Sequence, residues 1–495
     1  MLGFFCRENR TMNNVINTTY GKIAGINENG YISYKGIPYA KAPQGSLRFL
    51  PPQDPESFDG IRVCDRFGNS APQNIQPGGN IKAEECSEDC LYLNVYVPEN
   101  HRGNCPVLFH IHGGAFQFGN HDMFADVSML TNHGIIVVTM NYRLSVFGFL
   151  QLDEILGPEY IQSGNAGFLD IVKALEWTKK NIASFGGDPD KITVMGESAG
   201  AKMVGSLLVS KQAKGLFSQA YLESGAVQCI RDLHTARTIA SKFTDYFHMP
   251  KEELKEYLLT APWQELIEHM NKAFGRPGLH DFGPVFDGIA FDGDDALEIV
   301  HSGKASDVTI LAGYNRDEFS APYHMTPKFT REVFAKFFGL NTDYVMEKLG
   351  DCWQDPKDNG KELIWKMSRY LYGYPTIQML ETYRTSGYKG KQYLFRNDWD
   401  KDPMGAFHTL GGQSMTGYYA MLHPEVKDDP EYIRLQKDMF DYWLNFLQHR
   451  NPNGEGLVYW PSYEDDRKAM YFGVQERADS AERHDEGMPG QILKL

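Results

Sequence analysis

The chain has 495 residues, of which 42% are hydrophobic and 13% aromatic, and its 49 basic and 64 acidic side chains give a net charge of −15. This composition can bury a large core, and an acidic surface argues against binding to nucleic acid or anionic membranes, which needs Lys/Arg-rich patches. No apolar run approaches the roughly 18 residues of a membrane-spanning helix. The seven cysteines form no CxxC pair, so neither a zinc site nor a disulfide framework is indicated, and we expect a cytoplasmic location.

Residues 1–12 are interpreted as an N-terminal extension. Their apolar stretch is too short for a signal-peptide core, and basic residues follow it rather than precede it. Met1 and Met12 are both candidates for the natural start. Because no Pro/Ser-rich linker interrupts the remainder, residues 13–495 are predicted to form one domain.

The first predicted elements are short strands. The stretch GKIAGINENGYISYKGIPYA alternates in polarity and turns at Asn29-Gly30, which indicates a hairpin. Further strands are predicted at residues 91–98, 106–114 and 134–143. The last two are nearly continuous apolar runs, as is typical of strands covered on both faces.

A helix with one apolar face is predicted next. It ends at Gly186-Gly187, and a strand at residues 192–195 follows. Strand, helix and strand together form the right-handed crossover of a parallel sheet. The side chains expected to face the sheet are Phe168, Ile171, Val172, Leu175, Ile182 and Phe185.

The second half of the chain reads as largely helical from about residue 232 to residue 383. One strand, at residues 308–315, interrupts this insertion, another begins at Gln392, and a long helix precedes Asn451-Pro452. The predicted fold class is therefore α/β, with a central, mostly parallel twisted sheet flanked by helices and a largely helical insertion.

The segment TVMGESAGAKMVG predicts a nucleophile at Ser198. A serine hydroxyl is a weak nucleophile that needs a nearby base, an orienting carboxylate and N–H donors for the oxyanion. In G-x-S-x-G the two glycines relieve crowding in a strained strand-to-helix turn. The alternative is an ordinary serine in a glycine-rich bend, but an apolar strand before the motif and helix-forming residues after it favour the nucleophile.

A second glycine-rich segment, FHIHGGAFQFG, follows the strand at residues 106–114. Its small residues allow backbone N–H groups to point into a pocket. In α/β-hydrolases the oxyanion site combines an N–H from such a loop with that of the residue after the nucleophile, here Ala199. The alternative is a plain glycine turn after a buried strand.

On these motifs the chain resembles the type-B carboxylesterase family of the α/β-hydrolase superfamily, which includes cholinesterases, carboxylesterases and fungal lipases. The resemblance extends almost from end to end. Its most specific segments are SEDCLYLNVYVP, IHGGAF, GNAGFLDIVKALEWTKKNIASFGGDP and VMGESAG.

The resemblance implies a Ser–Glu–His triad in that chain order. The family's acid lies in a segment matched by GYNRDE, which makes Glu318 the orienting carboxylate, with Asp317 as the alternative. Its base lies in a segment matched by GAFH, which makes His408 the base. Both residues follow a predicted strand, where open α/β sheets build their sites.

The resemblance also implies supporting groups. Glu197 matches a buried acidic neighbour of the nucleophile, and Ser224 matches a residue that hydrogen-bonds near the triad. Gly114, Ala115 and Ala199 match the oxyanion donors. The pairs expected to be structural ion pairs are Arg48 with Glu88 and Arg143 with Asp170.

The chain departs from the family in three places. Secreted relatives close a disulfide to the position of Cys90, but the matching segment SAPQNIQPGG has no cysteine. Residues 73–88 contain no aromatic side chain that could hold a quaternary ammonium, which argues against a cholinesterase. The family's acidic residue soon after the base is missing, since HTLGGQS has glycines there.

The expected function is hydrolysis of small to medium acyl or aryl esters through an acyl-enzyme, without a cofactor or a metal ion. The alternatives are an amidase, a thioesterase or a non-catalytic binding protein. The expected partner is the small ester alone, with no nucleic acid and no membrane segment, in a monomer or a homodimer. Four aromatic residues are expected either to line the acyl pocket or to pack the core: Phe282, Phe286, Phe319 and Tyr323.

Overall fold

The computed structural model of the protein describes residues 14–75, 81–123, 126–275, 281–338, 342–354, 360–473 and 476–481. The predicted N-terminal extension, residues 1–12, lies outside these ranges. Within them the strands are β1 (Val15–Thr18), β2 (Gly21–Ala24), β3 (Ile26–Asn27), β4 (Tyr31–Pro38), β5 (Ile61–Val63), β6 (Tyr92–Pro98), β7 (Cys105–Ile111), β8 (Ile136–Met140), β9 (Gly187–Glu197), β10 (Gln219–Glu223), β11 (Thr309–Asn315), β12 (Gln392–Asn397), β13 (Lys468–Phe472) and β14 (Arg477–Ser480).

The α-helices of the same residues lie between and after these strands. They are α1 (Ser128–Thr131), α2 (Ser145–Phe149), α3 (Asp153–Leu156), α4 (Ala166–Asn181), α5 (Ala199–Val209), α6 (Leu233–Thr244), α7 (Lys251–Thr260), α8 (Trp263–Phe274), α9 (Ala296–His301), α10 (Ser320–Met325), α11 (Arg331–Phe338), α12 (Thr342–Leu349), α13 (Lys361–Ser368), α14 (Tyr374–Thr385), α15 (Leu410–Met415), α16 (Tyr418–Leu422), α17 (Pro430–His449) and α18 (Tyr463–Asp466). None of these helices is long and apolar enough to cross a membrane.

Eleven of the strands form one mixed sheet in the order β3-β4-β6-β8-β7-β9-β10-β11-β12-β13-β14. The pairs from β8 through β13 are parallel, and the pairs at the two ends of the sheet are antiparallel. A separate small sheet contains β1, β2 and β5. The predicted fold class, a mostly parallel sheet flanked by helices, is confirmed.

The central crossover positions the nucleophile. Helix α4 carries the predicted apolar stripe, whose six side chains are all buried. A 3-10 turn continues it to Phe185, and Gly186 (φ 83°) ends it in the left-handed conformation that glycine adopts without strain. Strand β9 is longer than predicted, since it runs on to Glu197 and delivers Ser198 to the carboxyl edge of the sheet.

The insertion is largely helical, as predicted, and β11 interrupts it. Its stretch at residues 251–274 divides into α7 and α8 at Pro262, because a proline removes a backbone donor from a helix interior. Three strands of the large sheet were not predicted: β10, β13 and β14. The hairpin at Asn29-Gly30 is confirmed by the antiparallel pairing of β3 with β4.

The structure contains the two buried ion pairs that the family resemblance implied. Arg48 donates two hydrogen bonds to Glu88, at 2.5 and 2.6 Å. Arg143 donates to both carboxylate oxygens of Asp170, at 2.7 and 2.8 Å. Both guanidinium groups also donate to backbone carbonyls, which satisfies charges that would be costly to bury otherwise.

Candidate active site

Ser198 sits in a strained turn between β9 and α5. Its φ of 59° and ψ of −121° are unusual for a residue with a side chain. A Cβ on Gly196 would lie 2.2 Å from the carbonyl carbon of Gly200, and a Cβ on Gly200 would lie 2.1 Å from the carbonyl oxygen of Ile111. Both glycines of the G-x-S-x-G motif are therefore required by close backbone contacts, and the turn presents the serine hydroxyl above the sheet.

The three residues of the predicted triad lie together. Nε2 of His408 is 2.8 Å from Oγ of Ser198, and Nδ1 of His408 hydrogen-bonds Oε2 of Glu318. Glu318 is only 1% exposed. Its other oxygen accepts hydrogen bonds from the Ser224 hydroxyl at 2.5 Å and from the backbone N–H of Asn315 at 2.7 Å, so the carboxylate is fixed in one orientation.

Asp317, the alternative acid, has a different role. Its carboxylate accepts hydrogen bonds from the Arg316 guanidinium at 2.7 and 3.0 Å and from the backbone N–H of Ala406 at 2.9 Å. Its own N–H donates to the carbonyl of Ala406. The hydrogen bonds of Asp317 therefore hold the loop that leads to His408, and its carboxylate binds Arg316 and Ala406 rather than His408.

The environment raises the pKa of His408 overall. Burial alone would lower it, but the charge and hydrogen bond of Glu318, followed by the charge of Glu197, outweigh that effect. An Oε1 oxygen of Glu197 lies 3.5 Å from Nε2. These carboxylates stabilise the imidazolium that forms when His408 accepts a proton. A general base requires such stabilisation of its protonated form.

The glycine-rich loop from His112 to Gly119 lies against the nucleophile turn, since a Cβ on Gly113 would lie 2.8 Å from the carbonyl oxygen of Glu197. Gly114 (φ 104°) has no room for a side chain, because a Cβ there would lie 1.9 Å from the carbonyl oxygen of Phe118. The side-chain amide of Gln73 bonds both backbone groups of Gly119, which fixes the end of the loop. Ala199 is the first residue of α5, so its N–H has no acceptor within the helix.

Behind the triad lies a buried carboxyl that the sequence reasoning missed, Glu223. It is the register partner of Glu197 on neighbouring parallel strands, so the two side chains leave the sheet side by side. Burial is the main cause that raises the pKa of Glu197 to about 7 and that of Glu223 to about 8. The charge of Glu318 adds to the rise for Glu197, and the charges of Glu197 and Glu318 add to the rise for Glu223. Within the described residues, no group of three or more His, Cys, Asp or Glu side chains could hold a metal ion.

The carboxyl of Glu223 packs against the two glycines that follow the base, Gly411 and Gly412. Its Oε1 accepts the backbone N–H of Gly412 at 2.9 Å, and a Cβ on Gly411 would lie 2.5 Å from the same oxygen. A side chain at residue 411 and the carboxyl of Glu223 therefore exclude each other. The two glycines in HTLGGQS were a signal for this arrangement, since they leave room for a group from elsewhere in the fold.

The face of the His408 ring is covered by a residue that no motif indicated. Tyr372 lies parallel to it, with ring centroids 4.9 Å apart and an interplanar angle of 28°. Tyr372 belongs to a π-helical turn, Arg369–Gly373, a distortion that is frequent at functional sites. Burial raises the pKa of Tyr372, and an interaction with the Ser198 hydroxyl offsets part of that rise, which places the phenol beside the nucleophile.

The four aromatic candidates for the acyl pocket belong to the core. Phe282, Phe286 and Phe319 are buried members of the main hydrophobic cluster, and Tyr323 packs against it. Phe282 contacts Phe274 edge to face, with ring centroids 5.8 Å apart. All four residues therefore contribute to the packing of the core.

The sheet order and the nucleophile turn define an α/β-hydrolase. Residues 12–489 match the model of the carboxylesterase family. Among characterised proteins, the chain is similar to the para-nitrobenzyl esterase of Bacillus subtilis, with 33% identity over 92% of this chain and 93% of that protein. Liver carboxylesterase 1 of Oryctolagus cuniculus is 30% identical, over 95% of this chain and 91% of that protein.

Solved structures agree with this assignment. A Geobacillus stearothermophilus carboxylesterase, crystallised at pH 6.2, has a TM-score of 0.81 and 34% identity, over 94% of this chain and 97% of that one. A PNB esterase has a TM-score of 0.80 and 30% identity over the same shares. The chain belongs to the carboxylesterase family.

Proposed function

We propose that the protein hydrolyses small to medium acyl or aryl esters through a Ser198–His408–Glu318 triad. Membership of the carboxylesterase family makes the chain a carboxylic ester hydrolase, and the proposal concerns the residues that carry the reaction. The observation that supports it is the 2.8 Å separation of Ser198 Oγ from His408 Nε2, with Nδ1 bound to a buried carboxylate.

In the proposed acylation step, Ser198 Oγ attacks the ester carbonyl carbon while its proton moves to Nε2 of His408. Glu318 keeps the Nδ1–H in place and stabilises the imidazolium. Backbone N–H groups of Gly114, Ala115 and Ala199 donate to the oxyanion, and the loss of one such donor typically costs about 3 kcal/mol in the transition state.

Collapse of the tetrahedral intermediate breaks the ester bond. The alcohol leaves with the proton held on Nε2, and the acyl group stays on Ser198. Water then enters, His408 removes a proton from it, and its attack releases the acid and returns the proton to Ser198.

The amidase and thioesterase alternatives use the same residues on a different leaving group. Butyrate derivatives with the same acyl and aryl groups separate them: 4-nitrophenyl butyrate, 4-nitrobutyranilide and S-(4-nitrophenyl) thiobutyrate. We expect kcat/KM to be highest for the ester. A higher value for the anilide or thioester would assign the protein to that class instead.

The binding-protein alternative is tested by comparing the wild type with Ser198→Ala on 4-nitrophenyl acetate, butyrate and octanoate. We expect wild-type turnover and a loss of at least about 10³-fold in kcat in the variant, because the nucleophile is removed. Circular dichroism of both proteins checks folding. A folded, inactive wild type would favour the binding role.

Three further expectations remain proposals: a cytoplasmic location, a monomeric or homodimeric state, and a single domain at residues 13–495 with the helical insertion at about 232–383. Sparse cysteine usage supports the first. Fractionation of the native cells, sedimentation velocity and limited proteolysis test the three in turn.

A further inference from the structure

A buried lysine lies next to the nucleophile. Lys202 is in the first turn of α5, and its backbone N–H donates to the carbonyl oxygen of Ser198 at 3.0 Å. The residue is 7% exposed, and its burial lowers the pKa of the side chain. Lysines normally extend their ammonium group into water, so this position requires an explanation.

The ammonium group lies beside the reacting residues rather than at the periphery. Its Nζ is 5.7 Å from the ring centroid of Tyr372, the residue that covers the His408 ring. The charge of Lys202 also acts on His408, whose pKa it lowers. A substrate group that reaches Tyr372 from Ser198 therefore comes close to Lys202.

The charge of Glu318 opposes the effect of burial on the pKa of Lys202, but this carboxylate is hydrogen-bonded to His408, Ser224 and Asn315 and forms no ion pair with Lys202. Among the described residues, none of the ion pairs within 4.0 Å includes it. The charged neighbour Arg231 has the same sign and donates to the carbonyl oxygen of Phe282 at 2.5 Å. Cys229 lies nearby, and burial raises the pKa of its thiol, so that group is neutral.

A buried ammonium that forms no ion pair is unfavourable, and an anionic ligand group that is also desolvated recovers much of that energy. We propose that Lys202 is a specificity-determining residue that binds a carboxylate on the substrate, so that the preferred esters are anionic, such as monoesters of dicarboxylic acids. This proposal rests on the proposed function of the same site.

The test compares substrates that differ in one carboxylate. Mono-4-nitrophenyl adipate and 4-nitrophenyl hexanoate share a six-carbon acyl chain, and 3-carboxy-4-nitrophenyl butyrate and 4-nitrophenyl butyrate share an acyl group. The first pair places the carboxylate on the acyl side and the second on the alcohol side. The readout is the ratio of kcat/KM values within each pair, because a general disturbance of the triad lowers both members.

In the wild type we expect a ratio above one for one of the pairs. Lys202→Met, which keeps the chain length and removes the charge, should lower that ratio at least about tenfold, mainly through KM. Lys202→Arg should restore part of it. Lys211→Met is the matched control, since it removes an exposed lysine just beyond the same helix.

The proposal is overturned if both wild-type ratios are at or below one, or if Lys202→Met leaves them unchanged. Loss of the proposed function looks different, because the neutral esters would then not be hydrolysed, or Ser198→Ala would hydrolyse them as well as the wild type. Ser198-dependent hydrolysis of the neutral esters without a carboxylate preference rejects the role of Lys202 alone.

Discussion

The edge of the His408 ring and its face are built from different parts of the molecule. The edge with the two nitrogens contacts Ser198, Glu197 and Glu318, which lie at or just beyond the carboxyl ends of β9 and β11. The face is covered by Tyr372 from the helical insertion, and the Lys202 ammonium lies 5.7 Å from the centroid of the Tyr372 ring. The edge of the ring is therefore surrounded by acidic groups from the sheet, whereas the aromatic side chain on its face and the nearby ammonium group come from helical segments.

The largest expected effect is that of Glu318→Gln, which removes the carboxylate bound to Nδ1 of His408. Glu318→Gln replaces an acceptor of the Nδ1–H with a group that can also donate, so the imidazole loses its fixed tautomer. We expect kcat to fall about 10³- to 10⁴-fold with little change in KM. Asp317→Asn is the neighbouring control and should lose less than about tenfold, since Asp317 contacts Arg316 and Ala406 instead. Equal losses would mean that the orienting acid is wrongly assigned.

A smaller effect is expected for Glu197→Gln, which removes a charge 3.5 Å from Nε2. That charge helps to raise the pKa of His408, so its removal lowers this pKa. His408 must be neutral to act as a base, and the acidic limb of the kcat/KM profile should therefore move to lower pH, by up to about one unit. At pH 8 kcat should fall about tenfold, because the imidazolium is less stabilised. A limb that moves to higher pH would contradict the electrostatic role.

A still smaller effect is expected for Tyr372→Phe, which changes the residue on the face of the His408 ring. It keeps the ring that covers His408 and removes only the hydroxyl beside Ser198. A hydrogen bond of ordinary strength predicts a decrease in kcat of about 2- to 10-fold. Tyr370→Phe, in the same π-helical turn but paired with Tyr374, is the matched control. If both variants lose the same activity, the effect belongs to the turn rather than to the hydroxyl.

The smallest effect on rate is expected for Glu223→Gln, which instead changes the pH dependence of the free energy of unfolding. Burial raises the folded-state pKa of Glu223 to about 8, far above its value in the unfolded chain. The folded protein therefore holds a proton that the unfolded chain releases, and the free energy of unfolding falls as pH rises from about 5 through 8. The variant lacks this term, so its loss of stability between pH 6 and pH 9 should be smaller by about 1–3 kcal/mol. Urea unfolding at the two pH values measures it, and an identical pH dependence in both proteins would refute the idea.

The difference between edge and face also decided what could be predicted from sequence. Ser198 is marked by glycines two residues away on either side, and the resemblance to a family supplied Glu318 and His408 as segments in a known order. Tyr372 stands in no such motif, and its position depends on a π-helical turn inside an insertion. Lys202 was inside the quoted nucleophile segment, but a lysine in a helix normally reaches solvent, so its burial gave no local signal.

Strand β10 is the clearest case in which local pattern was insufficient. QAYLE has polar residues at both ends and only five positions, so it does not read as a buried strand. In the fold it lies between β9 and β11, and all five residues are buried. Its neighbours rather than its own sequence determine its conformation, and with it the position of Glu223.

The sequence by itself determined the strained nucleophile turn and the crossover around α4, and the family resemblance indicated the base and its acid. The turn is local steric chemistry, since Gly196 and Gly200 are required by contacts within a few residues of Ser198 and with the adjacent strand. Only the tertiary structure decided that Glu223 fills the space beside Gly411, that Tyr372 covers the His408 ring and that Lys202 lies close to Tyr372. Strand register and helix packing bring these groups together from positions up to 189 residues apart in the chain. Propensity and periodicity carry no information over such a separation.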